Sequence, residues 1–160
     1  MNGINTTLCY LKRGEEYLML HRVKKEGDLN RDKWIGIGGK FLDGESPEEC
    51  ALREINEETG LTVTGYRYRG IVTFVSDRWE TEYMHLFTAT GWTGTPHPCD
   101  EGELEWLPKA ELRKLPMWAG DRIFLRLLDS DEPFFSLKLC YDGERLLSAV
   151  LNGKPLEVEA

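Results

Sequence analysis

An α+β fold, a mixed β-sheet with helices on its faces, is the class this chain predicts, and three observations carry it. Runs rich in β-branched and aromatic residues outnumber helical runs. The helical runs are separated by strand segments rather than gathered at one end. At 160 residues, with no internal repeat, low-complexity tract or linker, the chain fits one domain, residues 1–160, large enough to bury a core without disulfide staples.

Thr6 to Leu11 and Tyr17 to Arg22 are short apolar-rich runs around Arg13-Gly14-Glu15-Glu16, which predicts a hairpin. Lys24 to Lys33 is polar and contains Gly27, Asp28 and Asn30, the composition of an exposed loop. Trp34-Ile35-Gly36-Ile37-Gly38-Gly39 reads as a strand ending in glycines. Ser46-Pro47-Glu48-Glu49 is a capping box with proline at the first helical position, and Gly60 is the stop. Between them Ala51, Leu52 and Ile55 form an apolar stripe beside an acidic face. Leu61 to Val63, Tyr68 to Val75 and Glu82 to Thr90 predict strands, and Gly91 to Gly102 a loop. Glu105 to Leu107 is a short strand, Pro108 to Leu112 opens a short helix, and Asp121 to Leu128 is the second main helix, with Ile123, Phe124, Leu127 and Leu128 at helical spacing. Phe134 to Tyr141 and Leu146 to Leu151 flank Asp142-Gly143, a hairpin signal.

Composition narrows the function. A net charge of -8 argues against nonspecific binding to nucleic acid or an anionic membrane, whereas a small anion can still be held by a local cation. Cys9, Cys50, Cys99 and Cys140 are widely spaced with no C-x-x-C pair, so neither a zinc site nor a disulfide framework is expected. His21, His85 and His97 are scattered without ligand spacing. Residues 1–11 lack the apolar core of a secretion signal, and no apolar stretch approaches the ~20 residues of a membrane span, so a cytoplasmic protein is expected.

The chemistry is concentrated between Gly39 and Leu61. Glu54, Glu57 and Glu58 fall on one side of the predicted helix and crowd three carboxylates together. Like charges so placed repel unless a cation neutralises them. Oxygen-only ligands suit Mg²⁺ or Mn²⁺, whose shell is usually completed by waters and substrate phosphates. The run therefore reads as a site for metal-dependent phosphate chemistry, against the plainer alternative of a solvated acidic helix face.

Gly39, Glu45, Arg53-Glu54-Ile55, Glu57-Glu58 and Gly60-Leu61 together match the whole Nudix box, and on that match the chain resembles the Nudix hydrolases. The resemblance implies an α/β/α sandwich around a mixed sheet. It implies metal held by Glu54, Glu57 and Glu58 with the Gly39 carbonyl, and an Arg53 to Glu45 interaction bracing loop to helix. Beyond the box, Leu20-His21-Arg22, Lys33 to Lys40, Asp100 to Trp106, Trp118-Ala119-Gly120-Asp121 and Pro133 to Ser136 resemble the MutT and MutX type of 8-oxo-dGTP diphosphatase. By that resemblance Arg22 contacts phosphates and Glu101, or in competition Glu103, supplies a further metal or base carboxylate.

Trp118 and Asp121 are the candidates for a purine pocket, because an indole stacks and a carboxylate bonds an N–H edge. The plainer alternatives are a core tryptophan and a helix N-cap. Where the human MutT homologue reads the base with an asparagine, this chain has Ile35, so that contact must come from elsewhere. The implied reaction splits a nucleoside triphosphate into monophosphate and pyrophosphate, with 8-oxo-dGTP favoured and DNA repair as the role. The alternatives are another nucleotide substrate, such as ADP-ribose or a dinucleoside polyphosphate, or a non-catalytic nucleotide-binding module. The partner expected is a small nucleotide, with no stable nucleic-acid or membrane contact; oligomeric state is left open.

Overall fold

β1 (Ile4–Arg13) and β2 (Glu16–His21) form the expected hairpin, paired through Lys12–Tyr17 and Arg13–Glu16. They begin a computed structural model that describes residues 3–23, 28 and 30–158. Residues 24–27 and 29 of the predicted polar loop lie outside the described residues. The run ending in glycines divides at Gly36 into β3 (Trp34–Ile35), paired with β2, and β4 (Ile37–Lys40), paired with β1.

The remaining elements are α1 (Pro47–Thr59), β5 (Thr62–Ser76), β6 (Glu82–Thr93), β7 (Glu103–Pro108), a short 3-10 helix (Lys109–Lys114), α2 (Ala119–Asp129), β8 (Phe135–Asp142), β9 (Arg145–Leu151) and β10 (Lys154–Leu156). The strand order is β10-β9-β8-β5-β6-β1-β2-β3, with β4 also on β1 and β7 also on β2. The β1–β6 and β5–β8 pairs are parallel and the rest antiparallel, which makes the sheet mixed.

Both faces of the sheet are covered, which is why the central strands read as continuous apolar runs. On β1, Leu8 and Tyr10 point into a core with Ile123, Phe124, Leu125 and Leu128 of α2. Cys9 and Leu11 point the other way, into a core with Ala51 and Ile55 of α1. Successive side chains on a strand face opposite sides, so one strand feeds both cores and the result is an α/β/α sandwich.

Three departures from the expected elements have local causes. Leu61 to Val63 and Tyr68 to Val75 belong to the single strand β5 once the end residue Leu61 is set aside, because register shifts between Val63 and Gly70 carry the ladder through the polar middle. The α1 stripe is Cys50, Ala51, Ile55 and Thr59, with Leu52 only half-buried. Asp121 is not the N-cap of α2: Trp118 takes that position with extended backbone, and the Asp121 side chain is left in the first turn.

The C-terminal hairpin fixes α2. The Tyr141 hydroxyl of β8 accepts the Gly120 N–H at 2.8 Å, and at the other end of the helix Tyr17 of β2 donates to Asp129 at 2.7 Å.

Candidate active site

The acidic face of α1 is placed by its ends. The Ser46 hydroxyl accepts the Glu49 N–H at 3.1 Å while Glu49 accepts the Ser46 N–H at 2.9 Å, and Gly60 closes the helix at φ 80°, a conformation suited to glycine. Cys50, Ala51 and Ile55 are buried against the sheet, so the Glu54 side is aimed at β4. A side chain at Gly39 would collide there, since its Cβ would lie 2.5 Å from the Glu54 carboxyl carbon. Only glycine lets the strand and that carboxylate approach so closely.

Arg53 organises the acids. Its Nε and Nη2 fork onto Glu45 at 2.6 and 3.0 Å, its Nη1 donates to Glu54 at 2.7 Å and Glu57 at 2.9 Å, and Nη2 also reaches the Lys40 carbonyl at 3.1 Å. Glu45 is held down to about 2, first by these Arg53 hydrogen bonds and then by the Leu42 N–H. The guanidinium itself is raised by the same partners.

The three helix carboxylates do not crowd equally. Glu54 is 15% exposed and Glu57 59% exposed, so Glu57 stands at the mouth rather than inside. Glu58 faces away from Arg53 toward Glu101, and burial followed by the Glu101 interaction raises it to about 9. Repulsion is thus relieved by Arg53 on one side and a proton between two acids on the other. Glu103, the competing choice, is exposed at the start of β7 opposite His21, so the loop delivers Glu101 to the site.

Among the described residues no three acid, histidine or cysteine side chains form a ready cage. The donor set nevertheless fits a hard divalent ion: Glu58 Oε2 is buried with no hydrogen-bond partner among the described residues, and Glu54, Glu101 and the Gly39 carbonyl, which accepts from the Cys50 thiol at 3.6 Å, offer only oxygen. Arg22 lies beside this set. Its Nε pairs with Asp28 at 2.7 Å and its Nη1 with Glu101 at 3.4 Å, so one cation borders the acids.

The second group of candidates lies on the α2 face. Trp118 is 5% exposed, packed edge-on against Phe74, Trp79 and Tyr141, with its indole N–H donating to Asn30 at 2.7 Å. Lys33 Nζ sits 4.7 Å over the indole and pairs with Glu144 of the β8–β9 turn at 2.5 Å. Asp121 is 6% exposed and raised to about 8, first by desolvation and then by the charge of Glu82, while Arg122 and Lys33 oppose. It is therefore a neutral carboxylic acid near pH 7, able to donate as well as accept.

Ile35 faces the α1-side core, paired with Leu20, whereas Trp34 faces the opposite side and stacks on His21 at 4.4 Å. Asp28 and Lys33 were not among the sequence candidates. Asp28 sits in a polar stretch that carries no motif and gains its role by pairing with Arg22, whereas Lys33 opens the Lys33 to Lys40 run and gains its role from lying over Trp118. The histidines have structural partners: His21 bonds Asp32, His85 bonds Tyr68 and Asn5, and His97 contacts the Pro98 carbonyl.

The profile of the NUDIX domain matches residues 3–128. An oxidized purine nucleoside triphosphate hydrolase of Danio rerio is 37% identical over 108 residues, 66% of this chain and 68% of that protein. The protein of the same name from Mus musculus is 30% identical over 131 residues, 81% and 83% of the two. The crystal structure of a MutT protein from Bacillus halodurans superposes with a TM-score of 0.84 at 30% identity, covering 95% of this chain and 99% of that one. With this match running from β1 to the last turn of α2 and through every residue of the Arg53-centred site, the chain belongs to the Nudix hydrolase family.

Proposed function

We propose that this protein is a Mg²⁺-dependent nucleoside triphosphate pyrophosphohydrolase, with 8-oxo-dGTP as its favoured substrate and removal of oxidised nucleotides before DNA synthesis as its role. Nudix hydrolases act on small nucleotide substrates and generally use a divalent metal ion. The observation that carries the finer reading is the pairing of two sites on one sheet: an oxygen-only acid cluster on the α1 side and a buried, neutral Asp121 beside Trp118 on the other.

In this reading Glu54, Glu58 and Glu101, with the Gly39 carbonyl and Glu57 at the mouth, hold the ion. When bound, it would neutralise phosphate charge and lower the pKa of a coordinated water. Arg22 adds positive charge against the phosphates. One carboxylate of this set that the ion leaves unengaged would accept the proton of the attacking water. The water oxygen bonds to phosphorus, the bridging oxygen leaves with pyrophosphate, and the nucleoside monophosphate is released. Arg53 does not touch the substrate; it fixes Glu54 and Glu57 by holding them against Glu45.

Residues 1–160 act as one domain in this reading, since β8–β10 extend the same sheet through β5. The four cysteines are thiols rather than disulfides, which suits a reducing cytoplasm, and among the described residues no helix is long and apolar enough to cross a membrane. The test is pyrophosphate release with Mg²⁺, comparing kcat/KM for 8-oxo-dGTP, dGTP, ADP-ribose and a dinucleoside polyphosphate. The oxidised nucleotide should lead by at least about tenfold; equal values for dGTP and 8-oxo-dGTP would remove the specific assignment and leave a broad hydrolase.

A further inference from the structure

Asp121 lies within reach of a second acid's charge. Glu82 opens β6, directly opposite Phe74 on β5 and Ile4 on β1. Cross-strand partners share a face, and Phe74 lies in the α2-side core, as do Met84 and Leu86 two and four residues further along β6. Glu82 therefore points to the α2 side, next to the Phe74 ring that meets Trp118 at 5.5 Å. It is half-buried, and its charge reaches Asp121.

The sheet face beside the two acids carries polar groups. Thr6 and Tyr10 of β1 lie on this same face, 5% and 0% exposed, and both hydroxyls are buried without a hydrogen-bond partner. Tyr10 is close enough to Asp121 to feel its charge, and Thr6 is close enough to Glu82 to offset part of the desolvation that raises it. A buried hydroxyl without a partner is costly, so the Thr6 and Tyr10 hydroxyls, set on one apolar wall beside the Asp121 and Glu82 carboxyl groups, are an expensive arrangement for stability alone. A planar ligand with several polar atoms along one edge would satisfy them together.

We propose that Glu82 is a second base-reading residue, which with Asp121 selects a guanine-type oxidised purine over an adenine-type one. The assignment rests on the reading of the protein as an oxidised-purine nucleotide hydrolase. A guanine-type edge presents a carbonyl acceptor beside two adjacent N–H sites, which needs one donor and more than one acceptor. Asp121, as a neutral acid, supplies the O–H to the carbonyl. Glu82, from the neighbouring strand, supplies acceptor oxygens to the N–H groups. An adenine-type edge lacks that carbonyl and offers fewer N–H groups, so it leaves part of the pair unmatched. A site built to bond such groups rejects an analogue lacking them far more strongly than an apolar pocket does.

The test is Glu82→Gln, which keeps the shape but replaces an acceptor by an N–H₂ donor. The kcat/KM for 8-oxo-dGTP should fall about 10–100-fold, mainly through KM, while that for 8-oxo-dATP, whose edge has no carbonyl, changes less than about threefold. Calorimetric binding of 8-oxo-dGMP without metal should weaken by a similar factor. Equal losses for both nucleotides, or no loss, would overturn the assignment. Glu82→Asp covers the case of a folding defect: it retains the acid at shorter reach and should keep the guanine preference with a smaller loss, whereas loss of that preference counts against the proposal. If wild-type protein binds 8-oxo-dGMP and Glu82→Gln weakens it, yet no triphosphate is hydrolysed, the pocket assignment stands and the hydrolase reading fails.

Discussion

The two helices cover opposite faces of one sheet, and the acids they carry are handled in opposite ways. On α1, Arg53 holds Glu45, Glu54 and Glu57 in short ion pairs, and Glu45 is kept ionised by that contact. On α2, Asp121 is buried and kept neutral, because desolvation outweighs Arg122 and Lys33. Charge suits a face that must hold a cation, and a proton suits a face that must bond a neutral base. The α1 face should therefore set the rate for every nucleotide, while the α2 face should set which nucleotide is taken.

The largest test of that division is Glu58→Gln. Removing the buried carboxylate that faces Glu101 should lower kcat by about 10³-fold or more for every substrate and leave the ratio of 8-oxo-dGTP to dGTP unchanged. A changed ratio would mean that the two faces are coupled. Arg53→Lys should follow at about 10²-fold in kcat. A lysine carries the charge but cannot fork onto Glu45 while reaching Glu54, Glu57 and the Lys40 carbonyl, so activity should not be rescued.

Asp121→Asn should act on the ratio instead, with about a tenfold loss in kcat/KM for 8-oxo-dGTP and a smaller loss for dGTP. It also has a signature in stability. The folded-state pKa of Asp121, about 8, lies above the ordinary aspartate value near 3.9, so the native state holds its proton more tightly than the unfolded chain. The contribution is fully present below about pH 4, declines as pH rises, and is lost through about pH 8. Asparagine has no such dependence. Thermal melts should show the variant gaining on wild type between pH 5 and pH 8, on the order of 4 kcal/mol; a constant difference across that range would show that Asp121 is ionised in the fold.

The same contrast explains what the sequence could show. Everything that shapes α1 is local: Ser46, Pro47 and Glu49 begin it, Gly60 ends it, and the Arg53 to Glu45 fork spans one loop and two turns. A short motif can therefore carry it. On the α2 side the Trp118–Asp121 pair, legible as one short run, is joined by Thr6 and Tyr10 from β1, Glu82 from β6 and Lys33 from the loop before β3, and no spacing along the chain links Thr6, Tyr10 or Glu82 to that pair. The composition of that side depended on strand register, which placed Glu82 opposite Phe74. β10 was missed for a different reason: Asn152-Gly153, both at positive φ, is a hairpin signal, but the strand after it has three residues including Pro155.

The smallest expected effect probes how firmly the α1 face is held. Ser46→Ala removes one half of the capping box and should cost about 1 kcal/mol, seen as a Tm lower by a few degrees. The first turn is free to fray, yet Arg53 lies in the second turn and is tied to Glu45 and the Lys40 carbonyl outside the helix. Its carboxylate partners are thus anchored independently of the cap, and kcat should change less than about twofold for any nucleotide. A fall in kcat that tracked the fall in Tm would mean that the helix end, not the guanidinium, positions the acids. Combining Ser46→Ala with Arg53→Lys separates the two cases: additive stability losses mark independent anchors, and a coupling energy above about 0.5 kcal/mol marks a single one.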